Sequence, residues 1–235
     1  MRSIVVSIVL ACMLSAAQAG AETPITAVLA TDKGGQIHAA CRPWLEGVIA
    51  GAGWKLRPVK TDPVEADVVF TVKLHVHGQG PRRGAALEVS AFETASAARV
   101  AAAAELGRPA KGESSAIDQV CKSVADQLPG QLDAWNQRVA KQGMPIRLSF
   151  RFDPAIEPGP QTEISAFLKA AGVKAQPSLS SQRQVSYLIR TQQAPDAFRT
   201  RLEAFLHQRW KSRQGPPSSL PGNPRSLVYG LEMLK

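Results

Sequence analysis

Apolar and polar residues alternate along "ADVVFTVKLHVHG", residues 66–78, and again along "AALEVSAFE", residues 85–93, across the glycine-rich "GQGPRRG". A period of two puts alternate side chains on opposite faces of a strand, so two such runs around a turn predict a β-hairpin. "ITAVLAT" (25–31) and "KLRPV" (55–59) read as shorter strands. Between them, Ile37, Cys41, Leu45 and Val48 follow helical spacing, with Pro43 near the first turn and Gly51 and Gly53 at the end. "TASAARVAAAAELG" (94–107) fits two templates, a helix by its alanines or a turn into a strand. "AIDQVCKSVADQLPGQLDAWNQRVAKQ" (116–142) predicts a long amphipathic helix broken at Pro129-Gly130, with Ser114 and Ser115 as capping residues.

"GMP", residues 143–145, reads as a linker, and beyond it the pattern changes. "IRLSFRF" alternates, "QTEISAFLKAAG" is helical, "VKAQPSLS" and "RQVSYLIRT" pair as strands, "APDAFRTRLEAFLHQRW" is helical and "LVYGLEML" closes as a strand. This β-α-β-β-α-β order predicts a ferredoxin-like sandwich. The fold class expected is therefore α+β: two small α/β sandwich modules, 22–142 and 146–235, the second ferredoxin-like. Both modules run strand, helix, strand pair, helix, which leaves a duplicated architecture open without any residue-level repeat.

The N-terminus changes the expected address. A single charge in "MRS", the apolar "IVVSIVLACML" and the small-residue "SAAQAGAE" match a secretory leader, residues 1–19, cut after Ala17-Gln18-Ala19. An uncut anchor helix and a lipobox at "VLAC" with a lipidated Cys12 are the alternatives; Leu10 is large for a lipobox. No later segment approaches the ~20 apolar residues of a membrane span. Removing the leader leaves Cys41 and Cys121, each on an apolar helical face, and a periplasmic chain would join them in a disulfide. Two separate buried thiols are the alternative.

Charge divides unevenly. Residues 22–145 carry 14 Lys+Arg against 13 Asp+Glu, and residues 146–235 carry 13 against 6, so the basic balance belongs to the second module. Arg199, Arg201, Arg209, Lys211 and Arg213 lie along or just after its last helix, interleaved with Phe205 and Trp210. Such a patch would attract an acidic envelope protein, phospholipid head groups or lipopolysaccharide; export argues against nucleic acid. A solvated helix face is the plainer reading. Arg82 and Arg83 add a pair at the hairpin tip.

Reactive chemistry has few candidates. His75 and His77 point the same way from one strand and offer two zinc ligands, with His38 the other histidine of the module; the polar face of a strand is the simpler account. Gly112-Glu113-Ser114-Ser115-Ala116 lacks the second glycine of a nucleophile elbow. No dinucleotide or phosphate-loop motif is present. No catalytic residue and no cofactor are expected. A metal-dependent or serine hydrolase, or a carrier of small ligands or amphiphiles, remains as the alternative to a binding protein.

"ADVVFTVKLHV", "ALEVSAFETASAARVAAAAELG" and "AIDQVCKSVADQL" together resemble a layout of bacterial envelope accessory proteins. An Ala-Asp strand leads to a second strand, an Asp-x-x-Thr-Gly turn, a third strand and a closing helix. The N-terminal domain of the Tol-system translocation protein, the curli secretion lipoprotein and the flagellar T-ring protein are similar in outline over residues 25–135. Glu93-Thr94-Ala95-Ser96 departs from the pattern by lacking its Asp and Gly. The resemblance implies that 94–107 is a turn and strand, and that the role is assembly or scaffolding; it carries over no functional residue.

Overall fold

The computed structural model describes residues 25–31, 40–58, 66–78, 82–152, 159–181, 183–211 and 225–233. The leader with Cys12 and its cleavage site, Ile37, His38 and Arg213 lie outside the described residues. The fold is α+β, with two mixed sheets.

The first sheet holds β1 (Thr26–Thr31), β2 (Lys55–Leu56), β3 (Val68–His77), β4 (Arg82–Glu93) and β5 (Arg99–Leu106) in the order β2-β1-β3-β4-β5, and a short β6 (Ala110–Lys111) pairs with β4. β1 runs parallel to β2 and β3, whereas β3–β4 is the antiparallel hairpin expected from alternation. Three helices follow the same chain: α1 (Cys41–Gly51), α2 (Glu113–Gln127) and α3 (Pro129–Gln142). The inward set of each strand, such as Phe70 and Val72 on β3 and Leu87 and Val89 on β4, buries against Leu45, Ile49, Ile117 and Val124 of α1 and α2. Trp54 stands edge-on to Trp135 at 5.1 Å and to Phe70 at 6.2 Å, closing the core beneath α3.

Residues 99–106 form a strand although alanine is the best helix former. Pairing with β4 decides the outcome, and Val100, Ala101 and Ala103 enter the core. At the open edge of this strand the side-chain amide of Gln131 imitates a neighbouring strand: its Nε2 donates to Ala102 O at 2.9 Å and its Oε1 accepts from Ala102 N at 3.1 Å. The expected serine caps are not used. α2 begins at Glu113 behind Gly112, without a side-chain cap, and Ser114 and Ser115 sit inside its first turn. Its break falls where Pro129 fits best, at the start of the next helix.

The second sheet holds β7 (Met144–Phe152), β8 (Lys174–Ser180), β9 (Gln184–Thr191), β10 (Trp210–Lys211) and β11 (Ser226–Met233) in the order β10-β11-β7-β9-β8. β7 pairs in parallel with β11 and antiparallel with β9, which pairs antiparallel with β8; α4 (Gly159–Ala170) and α5 (Pro195–His207) are the two crossovers. The order β11-β7-β9-β8 is that of a ferredoxin-like sheet, but the ferredoxin-like expectation fails at the closing strand: that fold has it antiparallel to the first, whereas β10 follows α5 and reverses the chain, so β11 enters parallel to β7. Ile164 and Leu168 of α4 and Phe198, Leu202 and Leu206 of α5 bury against Leu148, Phe150, Tyr187 and Tyr229, so both helices cover one face. α5 stops at His207, and Trp210, assigned to that helix by its sequence, lies in β10 with 3% exposure. The two sheets are wired differently. In the first module the leading hairpin strand pairs in parallel with β1; in the second the trailing strand pairs antiparallel with β7. That is no duplicated topology.

Cys41 and Cys121 form the disulfide between α1 and α2 across 80 positions. Loop-closure entropy assigns such a bond about 4–5 kcal/mol. Reduction, or a Cys41→Ser/Cys121→Ser replacement, is therefore expected to lower the urea midpoint by a large fraction of the total stability; an unchanged midpoint would refute the assignment. A second expectation concerns the turn after β4, where Ala97 has φ +57°. A Cβ in that region costs about 1–2 kcal/mol, and glycine returns part of it as backbone entropy. Ala97→Gly should raise stability by roughly 0.5–1 kcal/mol in the same titration.

Candidate functional site

Where the modules meet, buried charges pair. Asp67 and Arg225, with side-chain exposures of 6% and 7%, form an ion pair through Arg225 Nε and Asp67 Oδ1. Asp67 precedes β3, and its other oxygen accepts from Thr26 N at 2.8 Å and Thr26 Oγ1 at 2.9 Å. Arg225 precedes β11, and its carbonyl accepts from Arg147 N at 2.8 Å. One carboxylate therefore ties β1 to β3 and also holds the second module.

A second acidic residue sits beside it. Glu93, 2% exposed, pairs in register with Val68 at the far end of the hairpin. Its Oε1 accepts from Trp135 Nε1 at 2.6 Å and lies 3.6 Å from an Arg190 nitrogen, while its Oε2 accepts from Ser96 Oγ. Arg190 also donates to Gly143 O at 3.3 Å, and Gln192 donates to Lys141 O at 3.2 Å. At Gly143, where φ is +81°, a Cβ would lie 2.1 Å from Thr191 O. Only glycine lets the chain pass this closely, so the "GMP" linker is a packed junction.

The cations of α5 are more engaged than their spacing suggests. Arg199 lies 3.6 Å from Asp196 Oδ1, Arg209 lies 3.4 Å from Glu163 Oε2, and Arg201 donates to Gln193 Oε1 at 3.1 Å. Lys211 sits in β10, whose backbone pairs it with Glu232. Phe205 stacks on Phe167 at 4.5 Å and meets Trp210 edge-on at 5.8 Å, so both aromatics serve the core edge. Burial first, then Glu203, pushes the Tyr229 hydroxyl well above its usual range, and Arg199 pulls the other way. At the hairpin tip Arg83 donates to Gly78 O, and Arg82 pairs with Lys111 in the β4–β6 ladder.

His75 and His77 are exposed on the same face of β3, opposite Ala86 and Gly84. The His77 ring packs on Gly84, where a Cβ would stand 2.3 Å from its Nε2. Among the described residues no three His, Cys, Asp or Glu converge as a metal site. Two grooves lie within single modules. One, of about 760 Å³, runs between α4 and β8–β9 past Gln161, Ser165, Lys169 and Tyr187; the other, of about 350 Å³, runs between α1 and the α2–α3 junction past Trp44, Asp126 and Asp133. No described helix is long and apolar enough to cross a membrane.

No family model matches the chain, and no curated protein matches it. Among solved structures it is similar to PelC from Paraburkholderia phytofirmans, determined as a dodecamer, at 14% identity and a TM-score of 0.33, over 46% of this chain and 92% of that one. So low a score says nothing of what this chain does.

Sequence patterns did not single out the junction residues. Asp67 and Glu93 belong locally only to the strand-and-turn layout shared with the envelope proteins, and no motif surrounds Arg190 or Arg225. Removing one partner of a buried pair leaves an uncompensated charge, which costs about 3–5 kcal/mol. Arg225→Ala should lose that much in urea unfolding, and Asp67→Asn with Arg225→Met together should lose less than the two single changes summed. Strict additivity would show that the charges do not stabilise one another.

Proposed function

We propose that this chain is an exported, non-catalytic binding or assembly component of a bacterial cell envelope. It acts as one rigid body whose basic second module meets an anionic partner. The observation that carries this reading is the Cys41–Cys121 disulfide, a bond suited to an oxidising compartment. The 13 to 6 excess of cationic residues after position 145 supports the anionic partner. The locked junction supports a scaffold, because nothing about a packed Gly143 and two cross-module ion pairs favours hinge closure on a substrate. The likeness of residues 25–135 to the Tol-system, curli and flagellar T-ring proteins belongs to this proposal.

The test is expression of the full chain in a Gram-negative host. The protein should fractionate to the periplasm with both thiols oxidised, and should leave the envelope fraction when salt rises to about 1 M, where the screening length falls to ~3 Å. Retention in the cytoplasm with reduced thiols would overturn the proposal.

A further inference from the structure

Both helices of the second module lie on one face of its sheet, and the strand alternation presents the other face outward. On β7, Ile146, Leu148, Phe150 and Phe152 go into the core; Arg147, Ser149 and Arg151 go to the opposite side. The register then assembles this face in rows. Leu188 stands beside Arg147, Ser186 between Ser149 and Leu179, and Gly230 beside Arg151. Lys174 joins at the β8 end, beside Arg190.

Arg147, Arg151 and Lys174 are exposed and, among the described residues, have no carboxylate partner. Arg190 is the exception, since Glu93 takes its charge. Strand alternation places one carboxylate residue, Glu232, on this face, at the β10 end beside Lys211; the described positions of β7, β8 and β9 on this face carry none. Between the cations lie apolar groups: Leu179 is 49% exposed, and Leu188 and Val228 are half-buried. At the centre, Ser149 and Ser186 are buried between their larger neighbours and their hydroxyls bond each other at 2.9 Å.

We propose that this helix-free sheet face docks the protein on the surface of an anionic phospholipid bilayer, with Arg147, Arg151 and Lys174 on lipid phosphates and Leu179 entering the interface. The proposal rests on the envelope reading above and assigns it a surface other than α5. Three observations choose a bilayer. The cations are spread over a broad face: Arg147 and Arg151 are four residues apart on one strand, about 13 Å, which suits several headgroups better than one bound anion. An exposed leucine among lysine and arginine is the composition of interfacial binding. Finally, a sheet face that binds single-stranded nucleic acid stacks bases on aromatic rings, and the described positions of this face carry none.

The experiment is co-sedimentation of the purified protein with vesicles of equimolar phosphatidylglycerol and phosphatidylcholine, against phosphatidylcholine alone, at low salt. The protein should bind the anionic vesicles only, and each removed cation should weaken it about fivefold, near a hundredfold for Arg147→Ala/Arg151→Ala/Lys174→Ala. Gly230→Glu is the second variant. A Cβ there meets nothing within 4 Å, so a carboxylate is set beside Arg151 without disturbing the core, and binding should fall comparably. Arg199→Ala/Arg201→Ala/Arg209→Ala should bind within a few-fold of the parent. If that triple variant loses binding while the sheet-face variants keep it, this inference fails and the envelope reading stands. Equal binding to neutral vesicles, or none to anionic ones, also overturns it, whereas cytoplasmic retention overturns the envelope reading itself.

Discussion

The arrangement of the molecule depends on the buried pair of Asp67 and Arg225. Moving either charge out of water costs several kcal/mol, and each module contributes only one of them. With the modules apart, both would regain solvent but lose each other; with the modules docked, neither is tolerable alone. The pair therefore acts as a registration device, accepting one relative placement and penalising near misses. Asp67 adds a second constraint, because the carboxylate that accepts Arg225 also accepts from Thr26, the first residue of β1. Docking of the second module is thus coupled to the edge of the β1–β3 parallel ladder.

Glu93 extends the same logic inward. Its carboxylate collects a ring N–H from α3, a guanidinium from β9 and a hydroxyl from its own turn. Trp135, the α3 donor, is 1% exposed and packs edge-on to Trp54, which in turn packs on Phe70. The junction is therefore continuous with the first core. A cross-link at the opposite side of that core, Cys41 to Cys121, limits how far α1 and α2 can drift from the sheet. A body so constrained offers fixed surfaces to a partner.

What local periodicity governs was legible in the sequence: the β3–β4 hairpin, the β-α-β-β-α run of the second module up to β10, the break at Pro129 and the cysteine pair on two helical faces. Legibility failed where a distant partner decides. The alanines of β5 choose a strand because β4 is beside them, and Ala97 accepts a positive φ because that turn must close. Asp67 and Arg225 are 158 positions apart, and no local pattern announces them. The basic surface failed in the same way. A stretch of cations on α5 reads as a patch until Asp196 and Glu163 are found within reach, whereas Arg147 and Arg151 were hidden in plain alternation as the polar half of a strand.

Exposed ion pairs such as Arg209–Glu163 contribute little stability, and their greater consequence is electrostatic. A carboxylate 3.4 Å from a guanidinium cancels most of its field at a distance longer than their separation. An unpaired cation keeps its field out to a screening length of about 8 Å at physiological salt. Arg147 and Arg151, about 13 Å apart along β7, sit beyond that length from each other. Each then contributes almost independently, so attraction from the sheet face grows with the number of cations engaged. On the proposed docking, that favours an extended anionic surface over a single compact anion, because among the described residues Arg147 and Arg151 lack the carboxylate partners that Arg199 and Arg209 have.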